Sequence, residues 1–69
     1  GMVQIYNSLG DQYLEGSNGF EKDMNEAYRW YRKAEKKIKN ALIINPDESV
    51  KYKKILKQLR YKKGIAEGD

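Results

Sequence analysis

The stretch "LGDQYLEGSNGF", residues 9–20, decides how this 69-residue chain is read. It holds three glycines, Gly10, Gly16 and Gly19. Upstream, Met2, Ile5, Tyr6, Leu9 and Tyr13 recur at the 3–4 spacing of a helix rather than the alternation of a strand. That spacing predicts a first helix over residues 3–15, with Gly10 in its interior. A glycine there costs about 1 kcal/mol relative to alanine, so its position calls for a reason. Gly16 stands where a helix ends in a left-handed residue, a conformation that is cheap only for glycine. Ser17, Asn18 and Gly19 then read as loop. Phe20 is a lone apolar residue in that connector, expected to tuck the loop onto the helices.

Downstream, Asp23 and Glu26 have the spacing of a capping box, with Asp23 as the N-cap. A second stripe follows: Met24, Ala27, Tyr28, Tyr31, Ala34, Ile38, Ala41 and Leu42. It predicts a long helix over residues 23–44. Its far half extends beyond the reach of the first helix and needs another cover. Asn45-Pro46-Asp47-Glu48 stops this helix and starts the next, with Asn45 as N-cap, Pro46 at N1 and Glu48 at N3. A third helix over residues 46–63 presents Val50, Tyr52, Ile55, Leu56 and Leu59. Gly64 is expected to end it, leaving residues 65–69 as a frayed tail. The fold class that follows is all-α: one domain over residues 1–69, made of a helical hairpin and a third, C-terminal capping helix.

The residues from Leu9 to Ala34 carry a resemblance. Leu9-Gly10, Tyr13, Gly16, Gly19-Phe20, Asp23, Ala27, Trp30-Tyr31 and Lys33-Ala34 resemble a Sel1-like repeat, a relative of the tetratricopeptide repeat, spanning about residues 6–34. The segment Ala34, Ile38, Ala41, Asn45-Pro46 looks like a tetratricopeptide ending. The resemblance implies a scaffold or adaptor that binds proteins and performs no catalysis. It also implies that the face carrying Trp30 packs on a neighbouring repeat. The chain departs from the pattern after Ala34, where "EKKIKNALIINPDE" stays helical instead of turning into a second copy. Physical reasoning agrees with the hairpin. Small residues let helix axes approach at the short end of the 8–10 Å range, so Gly10 is expected to face Ala27 or Ala34, with Tyr13 and Tyr31 filling the space beside them.

Composition narrows the chemistry. The chain has no cysteine and no histidine, which removes disulfides, thiolate ligands and the commonest general base. Ser8, Ser17 and Ser49 have no nucleophile-activating companion. Asp11 and Glu15 are expected to form a solvated face rather than a carboxylate pair with separated pKa values. The glycines of residues 10–19 do not have phosphate-loop spacing. No catalytic, metal-binding or cofactor-binding residue is assigned, and no enzymatic role is expected. No apolar run approaches the ~20 residues of a membrane span, so a soluble, cytoplasmic protein without membrane association is expected. Gly1 reads as an addition ahead of a natural start at Met2.

The formal charge of +4 is unevenly spread. Residues 1–27 hold five acids against Lys22, a net of −4, and residues 28–69 hold thirteen cations against five acids, a net of +8. The densest run, "KYKKILKQLRYKK" at residues 51–63, names a candidate patch for an anionic partner: Lys53, Lys54, Lys57, Arg60, Lys62 and Lys63. Its first reading is the solvated face of a capping helix. A nucleic-acid contact along residues 46–63 is the alternative. A chain this short has difficulty burying all its apolar stripes, and one repeat is fewer than such architectures usually need. A twofold homodimer is therefore expected, with Trp30, Ile38, Leu42 and Ile43 as candidate interface residues.

Overall fold

The computed structural model describes residues 1–68. The protein is all-α, with three helices: α1 (Met2–Glu15), α2 (Met24–Ile44) and α3 (Ser49–Ala66). A single 3₁₀ turn, Pro46–Glu48, links α2 to α3. Among the described residues there is no strand.

The α1–α2 turn forms as the sequence predicts. Gly16 is left-handed at φ 68°, and the N–H groups of Gly16 and Ser17 both donate to the Gln12 carbonyl, at 2.8 and 3.1 Å. Asn18 and Gly19 are also left-handed, at φ 55° and 82°. Phe20 packs edge-on against Tyr13 with ring centroids 4.9 Å apart, and so anchors the loop. Asp23 caps α2: its Oδ1 accepts from the N–H groups of Asn25 and Glu26 at 3.1 and 3.2 Å. The reciprocal half of the capping box is absent. The Asp23 N–H donates to the Tyr13 carbonyl instead, and Glu26 pairs with Arg29 at 3.2 Å.

Both α1 and α3 pack on α2, whose buried residues Ala27, Tyr31, Ala34 and Ile38 form the centre of the core with Leu59 and Ala66 of α3. The long second helix thus finds its cover within the same chain. Gly10 is the one buried residue of α1. It lies against the Tyr31 ring rather than against Ala27 or Ala34: a Cβ built on Gly10 would stand 2.6 Å from Tyr31 Cδ1 and 2.9 Å from Cζ. The close approach is therefore between a helix backbone and a large flat ring, which uses the space a side chain at residue 10 would occupy.

Several boundaries and core assignments need correction. The packed face of α1 carries Val3, Tyr6, Tyr13 and Leu14, while Met2 and Ile5 are exposed. The stripe turns toward Gly10, where α1 lies directly against the Tyr31 ring. Helix α3 begins at Ser49, because residues 46–48 take the tighter 3₁₀ form, and Asn45 makes no side-chain cap hydrogen bond. Val50, expected in the core, is 84% exposed, because Tyr52, two residues on and about 200° around the helix, takes the core-facing side of the first turn of α3. Gly64 does not end α3. The helix continues to Ala66, which is only 7% exposed, and the left-handed glycine after it is Gly68, at φ 84°. Ala66 lies seven residues after Leu59, two helical turns along the same face, so the core extends into the expected tail. Asp69, the last residue of that tail, lies outside the described residues.

Candidate interaction surface

Two internal ionic networks come first, because they decide which charged groups are left for a partner. Tyr31 is fully buried, and its hydroxyl donates a 2.6 Å hydrogen bond to Asp11 Oδ1. Burial pushes the Tyr31 hydroxyl well above its ordinary pKa of 10.0, and the hydrogen bond and charge of Asp11, with the charge of Glu15, act the same way. Lys62 of α3 reaches across to α1. Its Nζ lies 2.9 Å from Asp11 Oδ1 and donates to Asn7 Oδ1 at 2.9 Å. It also lies 5.6 Å from the centre of the Tyr31 ring. Asp11, expected on a solvated face, is the point where all three helices meet.

The second network centres on Glu35, the one buried charged residue among those described. Lys63 Nζ donates to its Oε1 at 2.8 Å, and Arg60 Nε stands 3.7 Å from Oε2. Burial works to raise the Glu35 pKa. The hydrogen bond from Lys63 and the charges of Lys63, Lys39 and Arg60 outweigh it and hold the carboxyl below its usual range. Sequence reasoning did not single out Glu35, although the signal was present: it stands one turn after Tyr31 and three residues before Ile38, on the core-facing side of α2. An acid there must be paired from a neighbouring helix.

These networks divide the predicted anionic-partner patch on α3. Lys62 and Lys63 are half-buried and pair with Asp11 and Glu35, and Arg60 leans on Glu35. Lys53, Lys54 and Lys57 remain exposed, without an acidic partner among the described residues.

The predicted interface residues also separate. Ile38 has no exposed surface, because α3 folds back over the far half of α2 and completes the core within one chain. It is corrected from an interface residue to a core residue. Leu42 is half-buried against the same core. Trp30 is half-buried too. Tyr6 of α1 covers it, with ring centroids 5.6 Å apart, and the Lys33 ammonium lies 4.5 Å from the ring centre. Its indole Nε1 is buried without a hydrogen-bond partner. Ile43 is open, at 79% exposure, and Ile44 beyond it is 85% exposed. With Val50 they are the exposed aliphatic residues on either side of the Asn45–Pro46 turn, the apolar tip of the α2–α3 connection.

A further surface was not anticipated. The solvent side of α2 carries Arg29, Arg32, Lys33, Lys36, Lys37 and Lys39, all exposed. Their spacing of three and four residues was legible in the sequence, but the denser lysine run of α3 obscured it.

Among the described residues no helix is long and apolar enough to cross a membrane. No family model matches the chain, and no curated protein or solved structure is significantly similar to it.

Proposed function

We propose that this chain is a non-catalytic protein–protein interaction module of the Sel1-like, tetratricopeptide-related kind. Its first protein partner is a second copy of itself, met at the apolar tip in a weak, twofold homodimer in the cytoplasm. The observation that supports this most is the exposure of three aliphatic side chains, Ile43, Ile44 and Val50, at 79%, 85% and 84%, on either side of one turn. Exposed apolar clusters rimmed by polar groups are a common mark of protein contact sites. The tip is small beside the ~800 Å² per partner of a standard interface, so association in the high micromolar range is the expectation. Closed twofold contacts are the commonest way for one patch to meet its copy. The alternative, an anionic partner such as nucleic acid along residues 46–63, is left with Lys53, Lys54 and Lys57 as its free cations.

Sedimentation equilibrium across tens to hundreds of micromolar tests the proposal. The parent should show a monomer–dimer equilibrium. The triple variant Ile43→Ser/Ile44→Ser/Val50→Ser should remain monomeric with an unchanged melting temperature. A parent that stays monomeric throughout this range refutes self-association at the tip.

A further inference from the structure

We infer that the solvent side of α2 is a docking surface for the phosphate backbone of double-stranded DNA, bound without regard to base sequence. The inference rests on charge and shape along one helix. From Arg29 to Lys39 the exposed face carries six cations: Arg29, Arg32, Lys33, Lys36, Lys37 and Lys39. Arg29 is paired with Glu26 at 3.2 Å. The other five have no ion-pair partner among the described residues. Ten residues at 1.5 Å each span about 15 Å. A DNA duplex carries one phosphate charge per ~1.7 Å of axis, or roughly nine over that length. This positive line therefore faces a still denser negative one.

The arrangement around the helix favours a duplex. At about 100° per residue, Arg32 and Lys39 stand on one flank of the outward face and Lys33 and Lys37 on the other, with Arg29 and Lys36 between them. The buried residues of α2, Ala27, Tyr31, Ala34, Glu35 and Ile38, lie on its other side, so this face is open to solvent. A helix with its side chains is about 10–12 Å across, and the major groove of B-form DNA is about 12 Å wide. Seated there, the two flanks face the phosphates of the two strands. Between the flanks Arg29 is tied to Glu26, so most of the cations on this face meet phosphates, which position the helix without reading sequence. The major groove of double-stranded RNA is too deep and narrow to admit a helix carrying these side chains. The surface is distinct from the α3 lysine run.

The test is fluorescence anisotropy of a labelled 20-base-pair DNA duplex against a salt series. Each phosphate neutralised contributes about −0.9 to the slope of log K against log salt. Four to five contacts then give a slope near −4 and roughly a 100- to 500-fold loss of affinity between 50 and 200 mM salt. Arg32→Gln/Lys36→Gln/Lys39→Gln should weaken binding at least tenfold at 50 mM and make the slope shallower by about three. These residues are exposed, so the variant should keep the parent's helical circular dichroism and melting temperature. Lys53→Gln/Lys54→Gln/Lys57→Gln should stay within about threefold of the parent. The inference is overturned if the parent shows no binding at 50 mM salt, or if the α2 variant binds like the parent. It is equally overturned if the α3 variant suffers the larger loss. Equal affinity for a double-stranded RNA, or for vesicles containing phosphatidylserine, also overturns it.

Discussion

Gly10 and Tyr31 are packed so closely that the ring of one fills the side-chain space of the other. A Cβ on Gly10 would stand 2.6 Å from Cδ1 of a ring that is fully buried and tied at its hydroxyl to Asp11. Gly10→Ala should therefore destabilise the fold by about 1–3 kcal/mol, as overpacking changes do, even though alanine is the better helix former. Gly10→Leu should prevent folding. Urea denaturation followed by circular dichroism measures both. An alanine variant as stable as the parent would show that α1 shifts away freely.

Gly64 makes the opposite case. It lies within α3, it has no left-handed φ, and a Cβ there would meet nothing within 4 Å. Gly64→Ala should stabilise the protein by about 0.5–1 kcal/mol through helix propensity and reduced freedom of the unfolded chain. A loss of stability would contradict the continuation of α3 through this residue to Ala66.

The Tyr31–Asp11 bond should produce an alkaline limit. In the unfolded chain Tyr31 ionises near its ordinary value, 10.0, whereas in the folded chain burial and Asp11 keep it protonated. Above that pH the unfolded state releases a proton that the folded state retains. Stability is therefore complete below pH 10 and falls as the pH rises, by up to about 1.4 kcal/mol per pH unit for one group. Tyr31→Phe should be less stable than the parent by about 1 kcal/mol at pH 8, through the lost hydrogen bond. The gap should narrow between pH 10 and 11. Parallel stability curves for the two proteins would exclude Tyr31 as the source.

Ile38 and Ile43, five residues apart on α2, should respond very differently to truncation. Ile38 is 0% exposed and Ile43 79%. Ile38→Ala should cost about 2–5 kcal/mol and Ile43→Ala no more than about 0.5 kcal/mol, both read from denaturant midpoints on dilute protein. Comparable losses would mean that the α2–α3 contact extends to the end of α2.

Local chemistry alone determined the helices, the turn at Gly16 and the Asp23 cap, because helical period, glycine conformation and side-chain capping act over a few residues. It also placed a glycine at a close helix contact, though not its partner. What lay across the chain was decided by tertiary structure. Whether α3 folds back over Ile38 depends on the direction in which the Pro46–Glu48 turn sends it, and no local period encodes that direction. The same fold-back buries Ala66 and leaves Val50 in solvent. It commits Lys62 and Lys63 to Asp11 and Glu35, partners 51 and 28 residues away in sequence. A lysine reads the same in a sequence whether it is paired or free. Only the packing of three helices, by spending the α3 cations internally and turning the α2 row outward, decided which positive face is open to a partner.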